Sequence, residues 1–464
     1  MVRSALIAIL AFFLFPLTGL VQPLEVSRNG RYLVTVDGKP FFWLADTAWE
    51  LFHRLNREEA IRYLKKRQSQ GFNVVQAVAL AELDGLRTPN PYGEVPLVNE
   101  NPTTPNPAYF EHVDFIIDQA AQLGMYIALL PTWGDKVFKA GWGTGPEIFT
   151  VENARIYGRW IGNRYKDREN IVWIIGGDRT PREKSTDVKI WQSMAEGVAE
   201  GFGGNEKALM SFHPQPRDPG GSSTWFHEDK WLDFNMHQTG HCPKNTYLNI
   251  THDYQLSPVK PVIDGEPMYE EHPICFKASE NGYSMARDIR RIMYWNVFAG
   301  AFGQTYGCHD IWQMYDQDRD GINGPLRPWH KALDLPMAHQ VRHLKNLMLS
   351  RPFLSRIPDQ SLIRTDQQDG VDYVIATRDE NGEYAMIYFP TGKNVLLDLK
   401  NLQGDEFKTW WYDPRTGVAF EGTDLKKHTG LEIQPPSTGM GNDWVLVIDA
   451  RDTDFPPPGT PQAD

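Results

Sequence analysis

The sequence predicts an α/β fold, a (β/α)₈ TIM barrel followed by a C-terminal all-β sandwich, and three observations carry that prediction. Apolar strand-like runs alternate with helix-like segments eight times between residues 41 and 350, the rhythm of a parallel sheet closed by helices. The run Ile171-Val-Trp-Ile-Ile175 is apolar without alternation, as a strand covered on both faces must be, and it stops through Gly176 and Gly177 on the carboxylate Asp178. From Phe353 onward the texture changes to short alternating stretches separated by turn pairs such as Asn381-Gly382, Thr391-Gly392 and Thr416-Gly417. A doubly wound open sheet would be the alternative, but no Gly-rich fingerprint follows the first strand.

In order, residues 1–22 carry one Arg and then an apolar run, and read as a signal peptide. The run is too short for a comfortable membrane span. Export to the periplasm or the extracellular space is expected, with no stable membrane insertion after cleavage. Residues 24–36 form a short antiparallel preface with turns at Asn29-Gly30 and Asp37-Gly38. The barrel domain is read over 24–351. Strand one, 41–45, ends at Asp46; a helix over 57–70 is capped by Asn56 and stopped by Gly71. Strand two is 72–80. A helix over 107–123 leads to strand three, 125–130, and a helix over 151–166 leads to strand four, 171–175. A helix over 187–200 precedes strand five, 208–212, which reaches His213. Residues 222–233 offer barely two turns and are the weakest helix of the series. Strand six, 234–236, reaches His237, strand seven begins at Pro261, and strand eight is 303–307, with helices over 283–298 and 335–350 around it. The sandwich is read over 352–450. The tail, 451–464, is rich in Pro and polar residues and is expected to be disordered.

A net charge of −12 argues against a nucleic-acid partner. Fifteen Trp and 18 Tyr supply material for stacking on sugar rings as well as for cores. The three Cys cannot all pair, so no disulfide framework holds the fold. His237, His241, Cys242, His272, Cys275, Cys308 and His309 all fall on the loops after strands six to eight, where zinc could assemble, but their spacing matches no closed metal motif. No metal and no cofactor is expected. A Cys242–Cys275 disulfide that leaves Cys308 free is the other reading of these residues.

Asp178 taken alone could simply cap a turn before Pro181. Pro261-Val-Ile-Asp264-Gly-Glu266-Pro267 supplies a second carboxylate at the end of strand seven. A carboxyl pair on strands four and seven, at the C-terminal face where barrels react, is suited to two-step glycoside hydrolysis. Asp178 would be the acid/base and Glu266 the nucleophile. Strand period two places Asp264 on the same face as Glu266, with Glu266 nearer the opening. Asp46, Trp49, Trp133, His213, His237, Tyr306 and His309, at other strand ends, are expected to line the pocket and bind substrate. Lys136 and Arg179 are the candidate counter-ions for an acidic sugar. The expected partner is a polysaccharide or oligosaccharide.

Three stretches also carry a resemblance. Phe41-Phe-Trp-Leu-Ala-Asp-Thr-Ala-Trp-Glu-Leu-Phe52, the stretch ending at Asp178 and Asp264-Gly-Glu266-Pro267 resemble the apiosidase-like glycoside hydrolases, family 140. In that family such a barrel precedes a β-domain labelled collagen-binding. The similarity extends to Trp410-Trp-Tyr-Asp-Pro-Arg-Thr-Gly417. The resemblance implies cleavage of the apiose to galacturonate linkage in the pectic polysaccharide rhamnogalacturonan II, with the catalytic pair on Asp178 and Glu266. Nothing in residues 353–449 indicates collagen affinity, and the role expected of that domain is to buttress the barrel. A β-glycanase of the cellulase or mannanase type is the alternative enzyme, disfavoured by Asp at strand four where that clan usually has Asn-Glu. A non-catalytic carbohydrate- or matrix-binding barrel is the other alternative.

Overall fold

The computed structural model describes residues 21–460. The expected signal peptide lies outside them apart from its last two residues. Eight parallel strands build the first domain: β1 (Trp43–Thr47), β2 (Val74–Leu80), β3 (Tyr126–Thr132), β4 (Ile171–Gly176), β5 (Met210–His213), β6 (Asn235–Gln238), β7 (Val262–Glu266) and β8 (Gly303–Tyr306). Six are paired in the order β8-β1-β2-β3-β4-β5, and β6 pairs with β7. Two backbone bonds link these groups, from the Asp233 amide to the Met210 carbonyl and from the Phe302 amide to the Val262 carbonyl. The curled parallel sheet thus closes into the expected barrel.

The helices lie outside it: α1 (Arg57–Ser69), α2 (Pro107–Gln122), α3 (Val151–Tyr165), α4 (Asp187–Phe202), α5 (Ser223–Phe226), α6 (Tyr247–Tyr254), α7 (Ala286–Phe298) and α8 (Pro336–Leu349). Local chemistry sets several ends. Asn56 and Glu59 form a capping box at the start of α1, and Thr150 and Asn153 form one at the start of α3. α3 and α4 approach closely behind β4, because a Cβ on Gly158 would stand 2.4 Å from the Met194 carbonyl oxygen and one on Gly197 2.4 Å from that of Arg155. α5 is a single turn. α6, which is not among the helices expected from the sequence, is eight residues long. Among the described residues no helix is long and apolar enough to cross a membrane.

The second domain is antiparallel. Strands β9 (Arg356–Pro358), β10 (Ile375–Asp379), β11 (Tyr384–Phe389), β12 (Val395–Asp398), β13 (Glu406–Asp413), β14 (Val418–Glu421), β15 (Leu425–Lys426), β16 (Thr429–Ile433) and β17 (Trp444–Ala450) form a large sheet, β9-β10-β11-β17-β13-β14 with β15 against β13, and a small one, β12-β16. Strand alternation splits β11 between two cores. Ala385, Ile387 and Phe389 pack with Val395, Leu397 and Ile433 between the sheets, whereas Tyr384, Met386 and Tyr388 join the core of the barrel domain.

Buried ion pairs tie the domains together: Arg290 of α7 meets Asp443 through two nitrogens, and Arg351 meets Asp449 in the same bidentate way. This sheet does buttress the barrel. The segment after β17, expected to be disordered, packs as far as residue 460: Phe455 lies against Tyr384 and under the Arg351 guanidinium, which also donates to the Pro456 carbonyl. One aromatic anchor and one carbonyl acceptor are enough to hold a proline-rich strand of chain whose composition alone gives no fold.

Candidate active site

β4 delivers Asp178 through a turn that only small residues permit. Gly176 and Gly177 have φ of 93° and 140°, and a Cβ on Gly176 would lie 2.5 Å from the His213 carbonyl oxygen. Asp178 itself has a φ of 46°, a left-handed conformation that Asp tolerates better than most residues. Its side chain is 20% exposed, open to the mouth of the barrel.

Glu266 arrives by a different device. The pairing of β6 with β7 runs Asp264 opposite His237 and then Glu266 opposite Gln238, a register shift that skips Gly265. Such a bulge re-aims a side chain. Asp264 consequently does not share a face with Glu266: it accepts from Thr239 and from Asn296 of α7, on the helix side. Glu266 turns into the mouth, where its side chain is 7% exposed.

His213 stands between the two carboxyls. Its Nδ1 accepts the Asp178 backbone N–H at 3.2 Å, which assigns the ring proton to Nε2, and Nε2 lies 3.1 Å from Glu266 Oε2. His241 Nε2 lies 3.3 Å from the other oxygen, Oε1. Trp49 and Trp133 pack on each other and both on the His213 ring. Tyr269 receives the Trp49 indole N–H at 3.2 Å, and burial together with the neighbouring Glu266 charge raises its phenol well above the ordinary range.

These surroundings drive the two acids apart. Burial, and then the charge of Glu266, raise the Asp178 carboxyl to about 6, against the opposing pull of Arg179, His213 and a Gln238 hydrogen bond. Burial acts to raise Glu266 as well, but the contacts with His213 and His241 outweigh it and hold Glu266 far below the usual carboxylate range. One group tends to keep its proton and the other to lose it, the division that an acid and a nucleophile require.

Of the other residues expected to bind substrate, Trp49, Trp133 and His213 do gather around the carboxyl pair. Four do not. Asp46 is buried on the outer side of β1, bonded to Tyr63 and Arg67 of α1 at 2.5 and 2.6 Å. Tyr306, its partner in register on β8, also faces outward and donates to Glu270 at 2.7 Å. His237 faces α6 and pairs with Asp253 at 3.0 Å. His309 is buried behind the mouth, receiving the Trp312 indole N–H. Strand alternation is the cause for the first three, since at each of these strand ends the inward position is a neighbouring residue.

The expected counter-ions are likewise sequestered. Lys136 is fully buried, with Nζ 2.7 Å from both Asp135 Oδ1 and the Ala81 carbonyl oxygen. Arg179 is buried too, and donates to the Phe138 carbonyl and to both the carbonyl and the carboxylate of Asp178.

Three residues were missed: Gln238, one position beyond His237; Tyr269, three beyond Glu266; and Glu82, just past β2; His241 was read only as a candidate zinc ligand. Burial and the charge of Asp178 push the Glu82 carboxyl up to about 8, opposed by Arg179. Their positions at or just past strand ends were the only sequence signal that could have found them.

Cys242 and Cys275 are joined in a disulfide, and Cys308 is free and buried. His241, His272 and His309 stand in a row, with ring centroids 3.9 Å and 4.4 Å apart along it. Among the described residues no group of three or more His, Cys, Asp or Glu side chains is arranged to hold a metal ion. Burial, together with the neighbouring imidazoles, pushes His272 far down and His309 to about 4, so both stay neutral.

The family described as "Apiosidase-like, catalytic domain" matches residues 27–355, and the family described as "Putative collagen-binding domain of a collagenase" matches residues 357–449. Among solved structures, a protein titled "Glycoside hydrolase" is 34% identical, with a TM-score of 0.85 over 94% of this chain and 98% of its own. A protein described as a glycoside hydrolase family 5 member from Bacteroides vulgatus is 33% identical, also at 0.85, over 94% of this chain and 95% of its own. No curated protein matches the chain. A carboxyl pair at the mouth of a closed barrel, a family match over most of the chain and two near full-length structural relatives agree: the chain belongs to the apiosidase-like family and is a glycoside hydrolase.

Proposed function

We propose that the protein is an exported apiosidase that cleaves apiosyl linkages of rhamnogalacturonan II, a pectic polysaccharide, by a retaining two-carboxylate mechanism. The observation that carries the mechanism is the opposite bias of Asp178 and Glu266, held on one imidazole. In the first step a Glu266 oxygen attacks the anomeric carbon while the Asp178 proton passes to the departing glycosidic oxygen, leaving a glycosyl ester. In the second, Asp178 takes a proton from water, the water oxygen attacks the same carbon and Glu266 leaves. Tyr269 and the His213 Nε2–H steady the Glu266 charge before and after attack.

The choice of sugar rests on the match to the apiosidase-like catalytic domain. An acidic polymer around the scissile bond is part of this reading, although Lys136 and Arg179 are too deeply committed to serve as its counter-ions. Export rests on residues 1–22, and the Cys242–Cys275 disulfide supports it, because such bonds persist in oxidising compartments. A second reading, a β-glycanase, is favoured by the family 5 title of one relative. Incubating the purified protein with rhamnogalacturonan II, mannan and cellulose and identifying the released sugars separates the two. Free apiose from the first substrate alone supports the proposal, and manno- or cello-oligosaccharides would replace it with the second reading.

A further inference from the structure

We propose that Trp142 is the platform on which the leaving-group sugar stacks. The inference rests on the roles just given to Asp178 and Glu266, and adds the substrate contact next to the acid.

Trp142 is 60% exposed, the most exposed large apolar side chain among the described residues. It sits in the loop after β3, within Lys139-Ala-Gly-Trp-Gly-Thr-Gly145. Glycines on both sides leave no neighbouring side chain to cover the ring. Gly143 could not carry one, since a Cβ there would lie 2.2 Å from the Lys139 carbonyl oxygen and 2.8 Å from Arg179 Nη2.

The loop is nonetheless pinned. The Gly145 amide donates to Asp135 Oδ2 at 2.8 Å, the Lys139 amide to Glu147 at 3.0 Å and the Gly143 amide to the Lys139 carbonyl at 3.1 Å. Behind the ring stands Arg179, its guanidinium carbon 4.9 Å from the ring centroid. The same guanidinium holds the Asp178 carboxylate at 3.0 Å. One residue therefore links the exposed ring to the acid.

A large apolar ring held open to solvent on a fixed loop, beside a catalytic cleft, is suited to the C–H face of a pyranose. Position decides which sugar it meets. The Asp178 proton goes to the glycosidic oxygen, and that oxygen leaves with the departing unit, so the ring next to Asp178 touches the leaving sugar. For the reading above this unit is a galacturonate. A planar ring also recognises such a unit without a counter-ion, which fits the burial of Lys136 and Arg179.

Calorimetric titration with tri-galacturonate, a probe of the leaving-group side alone, tests this on Glu266→Gln protein with and without Trp142→Ala. Loss of the ring should weaken binding about tenfold, and Trp142→Phe should restore most of it. The sugar-induced change in tryptophan emission seen in Glu266→Gln should vanish in Glu266→Gln/Trp142→Phe, which separates direct contact from a distant structural effect. In otherwise wild-type protein, Trp142→Ala should raise KM on rhamnogalacturonan II more than it lowers kcat. Equal affinity with and without the ring, or no binding by Glu266→Gln, overturns the platform while leaving the proposed reaction standing. Failure of the wild type to release sugar from rhamnogalacturonan II overturns the underlying reaction, and the platform with it.

Discussion

His213 Nε2 stands 3.1 Å from Glu266 Oε2, on the same ring whose Nδ1 receives the backbone N–H of Asp178. One imidazole thus contacts both carboxyl-bearing segments and, by accepting at Nδ1, carries its own proton on Nε2, the nitrogen beside Glu266. His213→Ala removes this proton and the brace. kcat should fall about 10²-fold, the cost of losing one aligned donor beside developing or departing charge. The acid limb of the kcat/KM profile should also move to higher pH, because Glu266 loses a contact that holds it ionised. His213→Gln, which can still donate, should recover part of both effects. Steady-state kinetics across pH reads each of them.

The pH profile of the wild type follows from the two biases. In the proposed mechanism turnover needs Glu266 ionised and Asp178 protonated. Activity should therefore be high at mildly acid pH and decline as Asp178 loses its proton near pH 6. The positive charge of Arg179 lowers Asp178, so Arg179→Met should move the basic limb upward by about one unit. A basic limb that does not move would mean that Asp178 is not the group that titrates there.

The domain interface gives a stability test. Arg290 and Asp443 are both nearly fully buried, and Tyr388 also donates to Asp443. Arg290→Ala leaves a buried carboxylate without its cation, and should cost about 3 to 5 kcal/mol. Arg290→Met/Asp443→Leu, which removes both charges, should cost much less. Chemical denaturation of the three proteins measures the difference.

How much of this was legible in the sequence depends on the kind of signal. The barrel was readable because β4 is apolar throughout and the first helix carries the cap Asn56 and the stop Gly71, all local features. The two carboxyls were readable because each stands at the C-terminal end of a strand. Which neighbour faces inward was not readable by position alone. Asp46, His237 and Tyr306 stand at strand ends yet point to α1, α6 and Glu270, while Gln238, one residue beyond His237, meets Asp178. The bulge at Gly265 defeats the period-two argument for Asp264 and Glu266, because a register shift depends on the partner strand. Tertiary contacts also decided the fate of Lys136 and Arg179, whose charges look free in sequence and are paired in the fold.

The roles of Asp178 and Glu266 are tested most directly by azide rescue of Asp178→Ala and Glu266→Ala, with the anomeric configuration of the glycosyl azide read by NMR. Azide that resolves a glycosyl ester on Glu266 in the Asp178→Ala protein should give an azide of retained configuration. Azide that occupies the place of the missing carboxylate in Glu266→Ala, acting on an activated substrate, should give an inverted one. The opposite pattern, or a Glu266→Ala protein that turns over its substrate at the wild-type rate, would contradict the assignment.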